Sequence, residues 1–156
     1  MQNKYCMKIK RIIVAFAVLF FGFSISSQAQ LRKIPSEVTD AFAKQFPKAA
    51  QVSWKDNLTN FQANFQNGDT VMQVKYNNKG QWLETISKMP YDQLNDAIKD
   101  GFDKSKFNDW EILLVQKITS LNNEVLYRIE VRKNAFRKTY LYFNTKGQLQ
   151  KDAPAL

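Results

Sequence analysis

The sequence predicts an α+β fold, with two tandem α-β4 repeats forming one eight-stranded antiparallel sheet and two helices on one face. Three observations predict it. A helix-spaced apolar stripe occurs twice: Val38, Ala41, Phe42 and Phe46, then Leu94, Ala97, Ile98 and Phe102, at an offset of 56. A tryptophan, Trp54 or Trp110, follows each stripe eight residues after its last member. A closing Asn-x-Lys-Gly-Gln sequence stands at 77–81 and again at 144–148. Self-similarity on this scale marks a repeated structural unit.

Each unit reads as one helix followed by four strands. Pro35 suits a first helical turn, where its missing N–H costs nothing, and Pro47 closes that helix. Pro90 heads the second stripe, so helices are expected near 35–46 and 90–103. Period-2 alternation then marks the strands. In the first unit Val52 and Trp54, then Phe61, Ala63 and Phe65, then Met72, Val74 and Tyr76 share one face. In the second, Trp110, Ile112 and Leu114, then Tyr127, Ile129 and Val131, then Leu141 and Phe143 do the same. Arg128, Glu130, Arg132, Lys138, Tyr140 and Tyr142 point the other way. The hairpins lie 67 apart against 56 for the stripes, which gives the second unit 11 extra residues, to be absorbed by longer strands around Asn122 and Asn123.

The alternation leaves one sheet face apolar, and each unit supplies an amphipathic helix to cover it. The other face is expected to be open and polar. Each Asn-x-Lys-Gly-Gln run is expected to be a hairpin loop built on a type I turn. Gly80 and Gly147 take the φ > 0 positions there.

Residues 1–29 read as a signal peptide. Lys4, Lys8, Lys10 and Arg11 form a basic start, Ile12 to Ile25 an apolar run, and Ser27 and Ala29 a small-x-small site. Cleavage is expected between Ala29 and Gln30. The competing reading is an uncleaved anchor, for which the apolar run is short. The repeats then occupy 30–88 and 89–156 within one compact domain. Cys6, the only cysteine, leaves with the leader, so no disulfide is expected. The full chain carries +9; without the leader's four basic residues, 19 basic against 14 acidic residues leave +5. That mild excess, without a basic run, argues against nucleic acid as a partner. Localisation is expected to be periplasmic or secreted, with no membrane attachment after cleavage.

"IPSEVTDAFAKQFPKAAQVSW" and "YNNKG" resemble the PepSY-like, β-lactamase-inhibitor-like (BLIP-like) family of secreted bacterial proteins. The Pro-headed helix, the Phe-Pro close, the Val-x-Trp strand and the turn carry the match, which runs across 30–156 as two copies. The second copy departs from it: "DGFDKSKFNDW" has no proline after Phe102. The resemblance implies the tandem α-β4 fold and no catalytic residues. Inhibition, which the family's name suggests, is an analogy of fold, and fold does not fix function.

The chemistry the chain lacks is informative. There is no histidine, which removes Ser-His-Asp triads and His-ligated metals. Loss of Cys6 removes thiolate nucleophiles. No glycine-rich phosphate loop occurs. No catalytic residue, cofactor or metal site is therefore expected. Asp92, Asp96, Asp100 and Asp103 would share one side of the second helix, either as a weak cation or docking stripe or as a solvated face. The stronger candidates are Tyr140, Tyr142, Arg128 and Arg132 on the open sheet face, since Tyr and Arg anchor interfaces. The competing reading there is ordinary cross-strand pairing, with Glu130 paired to the arginines.

Three functions follow. The first is an exported, non-enzymatic binding or inhibitor-like module with a protein or peptide partner in the cell envelope. The second is a small-molecule or ion-binding protein with a pocket between helices and sheet. The third is an enzyme using carboxylates alone.

Overall fold

A computed structural model describes residues 32–155. The expected signal peptide and its Ala29–Gln30 cleavage site lie outside the described residues. The chain runs α1 (Ser36–Gln45), β1 (Ala49–Asp56), β2 (Asn60–Asn67), β3 (Thr70–Asn77) and β4 (Trp82–Met89). After a 3-10 turn at Tyr91–Gln93 come α2 (Asp96–Asp103) and β5 (Glu111–Ser120). A second 3-10 turn, Leu121–Asn123, leads to β6 (Val125–Asn134), β7 (Arg137–Asn144) and β8 (Leu149–Pro154). The eight strands form one sheet in chain order, and every neighbouring pair is antiparallel.

Both helices cover the same face. Val38 and Phe42 of α1 pack on Phe61, Ala63, Phe65, Val74 and Tyr76. Ile98 and Phe102 of α2 pack on Val115, Ile129, Val131, Leu141 and Phe143. One cross-strand row, Met72–Ser87–Lys117–Tyr127–Phe143, joins the two clusters and fixes their common side. Aromatic edges interlock in the first cluster, with Phe42 5.0 Å from Phe65 and 5.2 Å from Trp54. Trp54 and Trp82 belong to that cluster and Trp110 to the second.

Both closing turns match expectation. Asn77 and Asn144 accept i to i+3 bonds from Gly80 and Gly147, each at 3.0 Å, and the glycines sit at φ +74° and +75°. Each Asn side-chain oxygen also accepts from two backbone N–H groups of its own turn. The glycines do more than permit the turn, because each abuts the first turn of a helix. A Cβ on Gly80 would lie 2.3 Å from the Glu37 carbonyl oxygen, and one on Gly147 1.9 Å from that of Ala97.

Several expectations are corrected. The second helix begins at Asp96, where the Asn95 side chain caps it by accepting from the Ile98 N–H at 2.9 Å. Pro90 heads the 3-10 turn instead. The hairpin glycines abut residues 37 and 97, so Val38 answers to Ile98 and Phe42 to Phe102, an offset of 60. The stripe alignment at 56 is thus one helical turn out of step. Ala97 is exposed, not apolar core. Leu114 does not share a face with Ile112: a bulge at Leu113 reverses the alternation, and Val115 enters the core. A bulge between Ala50 and Ser53 likewise leaves Val52 40% exposed. Longer strands absorb part of the second half's extra length, since β5 and β6 have ten residues each against eight in β1 and β2. Trp110 supplies much of the rest by standing ahead of β5, whereas Trp54 lies inside β1.

Candidate functional site

The open face is polar with one apolar row. Across β4, β5 and β6 the register aligns Ile86, Ile118 and Leu126. Ile86 and Ile118 are buried although no helix covers this side. Two rows beside it hold the candidate residues. One runs Lys88–Gln116–Arg128–Tyr142–Lys151, the other Leu114–Glu130–Tyr140–Ala153. The expected cluster is therefore assembled: Arg128, Tyr140, Tyr142 and Glu130 are immediate cross-strand or diagonal neighbours. Arg132 shares their face, one register step further along, opposite Lys138.

The contacts divide the cations into two kinds. Arg132 grips Glu111 with Nε and Nη2 at 2.7–2.9 Å. Lys75 meets Glu84 at 2.7 Å, and Lys138 meets Glu130 at 3.8 Å. Glu130 thus pairs with Lys138 and not with the arginines, because the Arg132 fork is taken by Glu111 and Arg128 turns to β5. Arg128 donates from Nε and Nη2 to Oε1 of Gln116 at 2.8 and 2.5 Å. Its guanidinium lies 4.8 Å from the Tyr140 ring centre, and Lys151 Nζ lies 4.3 Å from that of Tyr142. Cation–aromatic contacts at exposed sites contribute about 0.5–1 kcal/mol each, enough to pose these side chains and not to lock them. Among the described residues Arg128, Lys151 and Lys88 have no carboxylate within ion-pair distance, so this half of the face is basic and aromatic. At its end the β6–β7 turn presents Phe136, 99% exposed.

Gln116, Lys151 and the apolar row were not legible in the sequence. Gln116 reaches this face only through the Leu113 bulge, for which the run "EILLVQ" gives no period. Lys151 follows the β7–β8 bulge, where Tyr142 faces Lys151 and Phe143 faces Leu149.

The acidic stripe is not assembled on one helix. Asp92 lies in the 3-10 turn, and Asp100 pairs with Lys104 at 2.7 Å. Among the described residues no three acidic, Cys or His side chains form a metal-binding group. The helix–sheet layer, the place of the pocket in the small-molecule reading, is packed by the two hydrophobic clusters. A cleft of about 620 Å³ lies instead where the two halves of the sheet meet.

An open-faced antiparallel sheet backed by two helices is the architecture these elements define. Residues 59–151 match the family described as "Putative beta-lactamase-inhibitor-like, PepSY-like", and the chain belongs to that family. No curated protein matches the sequence. The fold is similar to that of solved Bacteroides proteins. A protein of Bacteroides eggerthii described as "putative periplasmic" superposes with a TM-score of 0.74 at 22% identity, covering 78% of this chain and 89% of that one. A DUF2874 family protein of Bacteroides ovatus gives 0.73 at 25% identity, covering 78% and 88%. A BLIP-like protein of Bacteroides fragilis gives 0.70 at 22% identity, covering 79% and 87%. No helix among the described residues is long and apolar enough to cross a membrane.

Proposed function

We propose that this chain is an exported, non-enzymatic binding module that recognises a protein or peptide in the cell envelope through the open face of β5–β8. The observation that carries this reading is the basic, aromatic half-face. Arg128, Tyr140, Tyr142 and Lys151 stand in adjacent register positions, with the neighbouring carboxylates of Glu111 and Glu130 already taken by Arg132 and Lys138. Tyr and Arg give large contact area at low entropic cost, and such residues carry most of the energy of protein interfaces. Family membership and the absence of histidine from the sequence support a non-catalytic role. Export is supported by the basic, apolar and small-residue order of residues 1–29 and by the periplasmic description of one structural neighbour.

The test is affinity capture from native envelope extract, with wild type against a Tyr140→Ala, Tyr142→Ala double variant. Both side chains leave the open face, so melting should change little. Loss of a specific partner by the variant is the expected outcome. Equal recovery of every partner by both proteins would sink the reading. Export is checked separately: the chain from the periplasmic fraction should begin at Gln30.

A further inference from the structure

Three cations of the open face stand in a single row without carboxylates. Lys88 of β4, Arg128 of β6 and Lys151 of β8 share one cross-strand register row, with Gln116 of β5 and Tyr142 of β7 between them. Each cation is therefore two strands from the next. At about 4.8 Å per strand the spacing is about 10 Å, and the row spans about 19 Å. Carboxylates elsewhere on the face do not answer the row. Glu84, Glu111 and Glu130 are held by Lys75, Arg132 and Lys138. The row's own partners are neutral. The rings of Tyr140 and Tyr142 lie against the Arg128 guanidinium and the Lys151 ammonium. Gln116, only 5% exposed, accepts from Nε and Nη2 of Arg128 and so fixes the pose of the guanidinium. Its Nη1 donates to no other described residue.

We propose that this row docks an acidic protein segment whose carboxylates recur about every 10 Å, one each for Lys88, Arg128 and Lys151. The inference rests on the open-face reading above and names the chemistry of its partner. Charge complementarity carries it, because a strip of one sign without counter-charges on its own surface selects the opposite sign. A carboxylate would make charge-assisted bonds to the free side of Arg128, about twice as strong as bonds between neutral groups. The spacing fixes the form of the segment. A polyproline II chain rises 3.1 Å per residue with three residues per turn, so every third side chain lies on one side, about 9.3 Å from the last. Acidic residues at every third position of such a chain match the row. Tyr142, between two of the cations, offers apolar contact to the residues between the acids.

The test titrates the protein with a blocked peptide of three Glu-Pro-Pro repeats and follows backbone amide shifts by NMR. Two controls have the same length. Three Gln-Pro-Pro repeats keep the shape without the charge, and Pro-Pro-Pro-Glu-Glu-Glu-Pro-Pro-Pro keeps the charge without the spacing. The expected result is saturable change centred on Lys88, Arg128, Tyr142 and Lys151, with each control about tenfold weaker. The Lys88→Gln, Lys151→Gln protein, altered at two exposed positions, should melt as wild type does and bind the first peptide about tenfold more weakly. Lys55→Gln removes an exposed cation on the same face outside the row and should change nothing. Equal binding of either control, shifts centred elsewhere, no saturable shift, or full binding by the double Lys variant each overturns the assignment. The two readings fail separately. If capture of an envelope partner depends on Tyr140 and Tyr142 while the acidic peptide does not bind, the open-face reading stands and the acidic assignment falls.

Discussion

Replacing Gly147 with alanine should destabilise the fold far more than its turn conformation alone requires. Two costs combine. A Cβ at φ +75° costs about 1–2 kcal/mol for an L residue. The larger cost is contact, because that Cβ would lie 1.9 Å from the Ala97 oxygen. The turn would have to retreat from α2 by about 1.5 Å to reach an ordinary 3.4 Å contact. Gly101 cannot relieve this, since it approaches the Gly147 carbonyl so closely that it has no room for a Cβ of its own. Retreat unpacks Ile98 and Phe102 from Leu141 and Phe143, a core loss of the kind that costs roughly 2–5 kcal/mol. Gly147→Ala should therefore cost about 3 kcal/mol or more. Gly80→Ala should follow it, with a 2.3 Å approach to the Glu37 oxygen. Gly68 is the control: φ is +61° and nothing lies within 4 Å, so Gly68→Ala should cost only about 1 kcal/mol. Asparagine separates the two costs, because it tolerates positive φ yet carries the same Cβ. Gly68→Asn should be nearly neutral and Gly147→Asn as damaging as alanine. Urea denaturation at equilibrium measures the series through the midpoint at constant slope. Equal losses at positions 68 and 147 would refute the packing role of the turn.

Two further predictions concern pH. Burial pushes the Tyr76 hydroxyl up to about 12, and it donates to Gln45 Oε1 at 2.7 Å. Its folded value exceeds the unfolded one, so its contribution is intact below pH 10 and is lost as pH rises towards 12, roughly 2–3 kcal/mol in all. Tyr76→Phe should flatten that alkaline loss, and ultraviolet titration should show one tyrosine ionising only as the chain unfolds. Asp56 behaves oppositely. The Arg32 guanidinium, bonded to it at 2.7 and 2.9 Å, holds its carboxyl below the usual 3.8, helped by the Leu58 N–H and opposed by desolvation. This contribution is present above 3.8 and lost as pH falls through the depressed value, so Arg32→Met should lessen acid sensitivity below about pH 4.

The parts legible in the sequence were those governed by a period. Phe61, Ala63 and Phe65 alternate without interruption, as do Tyr127, Ile129 and Val131, and all six lie on the covered face. The closing turns were legible because Gly must supply positive φ and Asn a local acceptor. The placement of Tyr140, Tyr142, Arg128 and Arg132 on one face followed from the same period, whereas their partners did not. Glu130, Glu111 and Gln116 all neighbour the arginines in the sheet, and which pairs form depends on register and bulges. The start of α2 was misread for a related reason. Moving an apolar stripe by four residues lands it on itself: Leu94 and Ile98 are both buried, so the sequence reads equally well in either alignment.

Apart from Val52, the misread core and helix positions fall between Lys88 and Gln116, and the topology explains why. The two halves do not face the same problem. β1 is an edge strand, paired only with β2, whereas β5 must pair on both sides. A helix-and-strands half placed at the centre of a sheet meets constraints that one placed at the edge does not. The second helix needs a connection out of β4 that the first does not, and Pro90 with the 3-10 turn supplies it. That exit carries the chain out of the sheet before residues 111–114 and leaves their edge bordering the cleft. The bulge at Leu113 returns β5 to register with β6 and brings Gln116 under Arg128. The Gln116–Arg128 contact and the cleft thus share one origin, the place where β4 leaves the sheet and β5 enters it.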